Sequence, residues 1–157
     1  MTKDLKKLEK LAQGGDAKAQ YKLGRRYSFG EGVEKDDEQA FHWFQLAAEQ
    51  GYADAQFFMG AFYNEGQGVE QDDEQSVHWC RLAAEQGHVE AQYSLSIFYE
   101  RGQGVEQDDK QSVHWSRLAA EQGYTDAQYA MASTYKLGQG VEKDYEQAVH
   151  WCRLAAE

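Results

Sequence analysis

The chain has 157 residues, with 16 Lys+Arg against 27 Asp+Glu and a net charge of −11. Such acidity repels phosphate backbones and anionic lipid, which argues against nucleic-acid and membrane-surface partners. The 41% hydrophobic and 13% aromatic content is too high for a disordered acidic chain, and the two cysteines are too few for a disulfide scaffold. No apolar run of about 18 residues is present, which argues against membrane insertion. The opening Met1-Thr2-Lys3-Asp4-Leu5-Lys6-Lys7 lacks the apolar stretch of a secretion signal. The expected location is cytoplasmic, with a mature periplasmic or secreted form as the alternative.

Residues 1–14 predict a lone helix with Leu5, Leu8, Leu11 and Ala12 on one face, a cap for the first of the repeats. From residue 15 the chain repeats itself. Trp43, Trp79, Trp115 and Trp151 recur at a step of 36 residues. Gly15, Gly51, Gly87 and Gly123 keep that step, and so do Tyr27, Tyr63, Tyr99 and Tyr135. Four repeats therefore run 15–50, 51–86, 87–122 and 123–157, within a single domain over 1–157. Each repeat predicts two helices and no strand. In the second, Ala53 to Glu65 carries Ala55, Met59, Gly60, Phe62 and Tyr63 at helical spacing, and Gly66-Gln67-Gly68 stops it. The next helix starts near Asp72, a cap with Gln75 at the third helical position, which forms a capping-box variant. Asp36/Gln39, Asp108/Gln111 and Asp144/Gln147 repeat the arrangement. Its buried stripe is Ser76, Trp79, Cys80, Ala83 and Ala84.

Leu23-Gly24-Arg25-Arg26-Tyr27 on a first helix, with Ala40 and Ala47 seven apart on a second, resembles the tetratricopeptide signature. The loop between the helices is longer here and carries Gly-x-Gly-Val, and proline is absent. In those departures the chain is similar to Sel-one-like repeats (SLR), over residues 15–157. The resemblance implies an all-α, right-handed α-α superhelical solenoid in which the first helices line a concave face. It also implies a scaffold or adaptor that binds a protein or peptide, commonly in bacteria.

Motifs that could carry chemistry have simpler readings. Gly66-Gln67-Gly68 follows a helix and lacks the third glycine of a dinucleotide loop, so it reads as a helix cap. Glu70-Gln71-Asp72-Asp73-Glu74 lacks calcium-loop spacing. His42, His78, His114 and His150 occupy one repeat position, and helices ~8–10 Å apart do not converge such residues on one metal ion. Ser133-Thr134-Tyr135-Lys136 matches the Ser-x-x-Lys of penicillin-binding enzymes, but without its Ser-Asp-Asn or Lys-Thr-Gly companions. No cofactor, metal or catalytic set is therefore expected. A peptidoglycan-related or penicillin-binding enzyme is the disfavoured alternative. Cys80 and Cys152 align with Phe44 and Ser116 and read as small buried side chains two repeats apart, too far for a disulfide.

The repeats can be compared with one another. Residues 51–86 and 87–122 agree at 24 of 36 positions, and ten of the 12 differences fall in the first 15. The loop and second helix are nearly fixed, and the first helix varies, as it would in a solenoid that binds through its first helices. The tetratricopeptide register places Lys18, Tyr21, Lys22, Arg25 and Phe29, then Asp54, Phe57, Phe58 and Glu65, then Glu90, Tyr93, Ile97, Glu100 and Arg101, then Asp126, Tyr129, Lys136 and Leu137 on the concave face, which is neutral as a whole. The partner-binding residues expected from this set are Lys18, Tyr21, Lys22, Arg25, Phe57, Phe58, Tyr93, Ile97, Arg101 and Tyr129. Aromatics beside arginine are the composition of protein-binding hot spots. Tyr21, Phe57, Tyr93 and Tyr129 have the alternative of packing first helices together. Phe58 and Ile97 are the expected anchors, on the ground that matching positions elsewhere are small or polar. Leu46, Leu82, Leu118 and Leu154 form an expected apolar ridge on the other side. That ridge, or the uncovered last repeat, would serve self-association; an artificial truncation is the other explanation of the uncovered end. The functional alternative within binding is an immunity or inhibitor protein that neutralises a toxin or secreted effector.

Overall fold

The computed structural model describes residues 3–157. Among them are nine α-helices and no strand: α1 (Lys3–Gln13), α2 (Ala17–Phe29), α3 (Asp37–Glu49), α4 (Ala53–Glu65), α5 (Asp73–Glu85), α6 (Val89–Arg101), α7 (Asp109–Glu121), α8 (Thr125–Leu137) and α9 (Tyr145–Ala156). Met1 and Thr2, at the start of the expected N-terminal helix, lie outside the described residues. The fold is all-α and built from helix pairs, as the repeat predicts. The helices fall into two compact units, one up to Ala83 and one from Ala84 onward.

The same chemistry closes the turn of every pair. Each first helix ends at a glycine in the left-handed region: Gly30, Gly66, Gly102 and Gly138, with φ of 70°, 67°, 65° and 74°. Each second helix begins at an aspartate whose Oδ1 accepts from the amide of the glutamine three residues on, at 2.9–3.0 Å. The reciprocal half of the expected capping box is replaced. The cap's own amide donates instead to the carbonyl of Tyr27, Tyr63, Tyr99 or Tyr135, at 3.0 Å in all four pairs. Those carbonyls lie in the last turn of the first helix, where intrahelical donors run out. One backbone bond thus fixes the start of the second helix to the end of the first. The loop also packs tightly. A Cβ added at Gly140 would lie 2.6 Å from the Asp109 carbonyl oxygen, and one at Gly68 would collide with the Asp37 carbonyl.

A buried glutamine on each first helix makes the next connection. Gln20, Gln56, Gln92 and Gln128 are each at most 7% exposed. Each donates its Nε2 to the carbonyl of the alanine eight residues back, Ala12, Ala48, Ala84 or Ala120, at 3.1–3.2 Å. Those alanines close the preceding second helix, or α1 in the first case. The acceptor end of the amide is used as well. Gln50 donates to Gln20 Oε1 at 2.7 Å, and Gln122 to Gln92 Oε1 at 2.8 Å. A buried amide satisfied at both ends fixes geometry without leaving a desolvated donor.

Apolar packing fills the space between these bonds. In the unit up to Ala83, Leu5 and Ala12 of α1 meet Ala19 and Leu23 of α2. Leu11 departs from the face expected of α1 and is 47% exposed, because the buried positions follow the 5, 8, 12 spacing and 11 turns away. Between α3 and α4 the core is Phe44, Met59 and Phe62 with alanines around them. In the unit from Ala84 onward, Met131, Trp151 and the alanines of α7 form the corresponding cluster.

The two cysteines differ. Both are free thiols, but only Cys80 is buried. Cys80 lies directly against Gly60, where a Cβ would collide with its sulfur. At the matching place on α9 Cys152 is exposed, contrary to expectation, and it lines an open cavity with Tyr129 and Ala132 of α8 and Val149 of α9. Burial pushes the Cys80 thiol up to about 12. In the native protein a thiol reagent should therefore label Cys152 rapidly, while Cys80 reacts only after denaturation; two equally fast thiols would contradict the packing. Gln128→Leu should lower unfolding free energy by about 1 kcal/mol, because the Ala120 carbonyl loses one of its two donors and keeps only the Gly123 amide. Urea denaturation measures this, and an unchanged midpoint would show that the bond is dispensable.

Candidate functional site

In the unit up to Ala83 the varied face is aromatic, with cations on α2 and the carboxylates Asp54 and Glu65 on α4. Lys18, Lys22 and Arg25 project from α2 and are exposed. Phe29, at the end of the helix, is 55% exposed, and the Arg25 guanidinium lies over its ring, 5.6 Å from the centroid. Deeper in, Tyr21 meets Tyr52 at 5.1 Å and Phe58 at 5.9 Å, so it packs α2 against α4. Burial raises the Tyr21 hydroxyl pKa, and Asp54 raises it further. Phe58 stacks on the buried Phe44 at 4.6 Å and 14°. Phe57 touches Phe58 edge-on at 6.1 Å.

Phe58 therefore does not match the expectation that repeat packing leaves it free. Comparison of repeats suggested that bulk was unneeded there, because Ala130 holds the matching position. The reason lies on the facing helix. Gly24 opens a space that the Phe44 ring enters, and a Cβ at Gly24 would lie 2.8 Å from that ring. Phe58 then covers Phe44. Bulk at 58 is required by bulk at 44, a pairing that single-column comparison misses.

From Ala84 onward the same places are occupied differently. The counterparts of Gly24, Phe44, Phe58 and Phe62 are Ser96, Ser116, Ala130 and Thr134. With the three rings gone, a cavity of about 170 Å³ opens between α6, α7 and α8. Buried Ser96 and Ser116 lie at its floor, half-buried Ile97 on its wall, and exposed Glu100, Asp109 and Ser133 at its rim. Tyr93 meets Tyr124 at 5.3 Å, the pairing made by Tyr21 and Tyr52. Burial raises its hydroxyl pKa, followed by Asp126. Arg101 is exposed at the end of α6; Tyr129 and Leu137 of α8 are each 53% exposed.

The histidine position and the leucine ridge lie on second helices. His42, His78, His114 and His150 are exposed, each with its ring edge-on to the following tryptophan at 5.1–5.6 Å. Among the described residues no group of three or more His, Cys, Asp or Glu side chains could hold a metal ion. No helix among the described residues is long and apolar enough to cross a membrane. Leu46, Leu82, Leu118 and Leu154 are half-buried, and Leu154 packs on the core beneath it. The expected ridge is thus sunk into the surface. The more exposed apolar side chains on second helices are Tyr145 and Val149 of α9, at 67% and 49%.

The Sel1 repeat model matches residues 17–52, 53–88, 89–124 and 125–157. The chain belongs to the Sel1-repeat family. Each matched Sel1 repeat begins at a first helix and contains one buried glutamine, one tyrosine whose carbonyl accepts from the cap, and one aspartate cap. Among solved structures it is similar to c5321 of uropathogenic Escherichia coli, described as a protective antigen displaying an SLR fold, at 45% identity and TM-score 0.94. That match covers 97% of this chain and 32% of the other. A Sel1 repeat protein from Oxalobacter formigenes is similar at 37% identity and TM-score 0.87, covering 91% of this chain and 59% of that one. The chain thus spans about a third and three fifths of those two. An immunity protein, Pa5087 from Pseudomonas aeruginosa, shares the fold at 19% identity and TM-score 0.56 over 95% of this chain and 71% of that one. No curated protein matches. Sel1-repeat proteins are generally protein-interaction scaffolds.

Sequence reading missed the cavity. The signal was the joint change at Gly24/Ser96, Phe44/Ser116 and Phe58/Ala130, visible once facing helices are read as pairs. The packing makes a distinction testable by melting curves. Phe58→Ala should destabilise by about 2–3 kcal/mol, since it uncovers Phe44. Tyr129→Ala, at an exposed site, should shift stability by less than about 0.5 kcal/mol. Equal effects would overturn the assignment of Phe58 to the core.

Proposed function

We propose that this chain is a protein-binding scaffold or adaptor that takes its partner on the varied faces of its first helices. The observation carrying the proposal is the concentration of exposed aromatic, aliphatic and cationic side chains there: Arg25 over Phe29 on α2, and Tyr129 with Leu137 on α8. Large apolar groups rimmed by charge are what binding surfaces present and what solvated surfaces generally avoid. The second helices use their repeated positions for caps and small-residue packing, which leaves the first helices as the part free to encode a partner. Of the expected contact residues, Lys18, Lys22, Arg25, Arg101 and Tyr129 are exposed, whereas Tyr21, Phe57, Phe58, Tyr93 and Ile97 are half-buried. The exposed group would contact the partner first. The half-buried rings would shape the surface beneath it.

A narrower version of this reading is an inhibitor of a basic toxin or effector, which the net charge of −11 favours through long-range attraction. It predicts association rates that fall steeply with salt.

The test is capture from the native host by the full chain, followed by recapture of the identified partner with variants. Phe29→Ser with Tyr129→Ser and Leu137→Ser should weaken binding by about tenfold or more, with the melting temperature retained. His42→Glu with His114→Glu, on the exposed side of second helices, should leave binding unchanged. The reverse pattern would move the site to the second helices.

A further inference from the structure

The cavity between α6, α7 and α8 has a chemistry of its own. Its floor is hydroxylated where the matching place up to Ala83 is filled by Phe44 and Phe58. Ser96 Oγ donates its proton to the Tyr93 carbonyl at 2.7 Å, which leaves its lone pairs as acceptors. Ser116 Oγ is buried and has no hydrogen-bond partner, on a residue 4% exposed. A buried hydroxyl without a partner is costly, so the site is built to receive a polar group. The rim carries two carboxylates, Glu100 and Asp109, and the cavity is lined by no lysine or arginine. Asp37, the counterpart of Asp109, pairs with Lys35 at 3.5 Å, but Gln107 stands where Lys35 would be. The cavity thus presents acceptors at its base and two carboxylates at its mouth.

We propose that the cavity lined by Ser96, Ser116, Glu100 and Asp109 receives a primary ammonium group, delivered as the lysine side chain of a bound protein partner. At ~30 Å³ per water-sized group, 170 Å³ holds about five such groups, which suits four methylenes and an ammonium. Ile97 and Ala130 line the passage and suit the methylenes. The ammonium donates to Ser116 and Ser96, and the rim carboxylates supply the opposing charge. Ile97, Ala130 and Ser133 belong to the first-helix face, so the inference rests on the proposed binding face and adds a specificity pocket to it.

The experiment follows amide chemical shifts of the ¹⁵N-labelled full chain during titration with n-butylammonium, n-butanol and Nα-acetyl-lysine N-methylamide. These probes need no partner, so failure of the scaffold reading would appear in the capture experiment and leave this one intact. The expected result is saturable shifts around Ser116 and Ser133 with both amines, at affinities on the order of millimolar. Butanol should bind about tenfold more weakly, because it lacks the charge. Ser96→Gly with Ser116→Phe, which reproduces Gly24 and Phe44, should abolish the shifts. Glu100→Gln with Asp109→Asn, both at exposed positions, should weaken them about tenfold without disturbing the core. Absence of saturable shifts, equal binding of butanol, or shifts that survive both variants would overturn the proposal. Binding of butylammonium without the lysine derivative would also overturn it, since the cavity would then admit free amines and exclude a peptide side chain.

Discussion

Everything in each unit hangs on one buried amide per repeat. Within a unit, a first helix lies against the helix before it because its glutamine donates into the last turn of that helix, at Ala12, Ala48 or Ala120. Hydrophobic contact between alanine-rich surfaces is weakly directional and would tolerate sliding. A hydrogen bond at 3.1–3.2 Å from a side chain that is nearly inaccessible to water does not, because a slip of one residue would leave the amide unpaired. The aspartate cap and the tyrosine carbonyl do the same between the two helices of a pair. Backbone geometry is thereby fixed by a few polar bonds, and the side chains around them are left to vary.

That division explains the uneven distribution of sequence change. The aspartate caps, the loop glycines and the buried glutamines contact backbone, and backbone does not change from repeat to repeat. The varied positions contact other varied side chains, and they change in groups. Gly24 admits Phe44, and Phe44 is covered by Phe58; Ser96, Ser116 and Ala130 leave the same place empty and hydroxylated. The two outcomes are alternative solutions on one frame, one giving an aromatic core and the other a polar cavity.

The frame was legible in the sequence for the same reason. A 36-residue step with glycines and aspartates in phase predicts helix pairs, their caps and their stops, because these depend on local backbone chemistry. Four features were not legible. Leu11 was placed on the inner face with Leu5, Leu8 and Ala12 but faces out by angle. Cys152 looked buried by analogy with Cys80, yet it borders an open cavity between α8 and α9. Phe58 looked free until Phe44 was seen beneath it. The buried role of Gln20, Gln56, Gln92 and Gln128 was not legible, since nothing in a linear pattern separates a buried amide from a surface one. The Phe58 miss concerns a pair of residues on different helices, where one side chain decides what the other can do.

The central claim is that polar frame and variable face are separable, and that the face carries recognition. The most direct measurement exchanges the exposed first-helix residues Lys18, Lys22, Arg25, Phe29, Arg101, Tyr129, Lys136 and Leu137 for serine or glutamine together. The frame glutamines, aspartates and glycines are kept, and helical content, melting temperature and partner affinity are read on the same sample. The account predicts an unchanged circular dichroism spectrum, a melting temperature within a few degrees of the original, and loss of the partner. A variant that unfolds, or one that folds and still binds its partner with undiminished affinity, would contradict it.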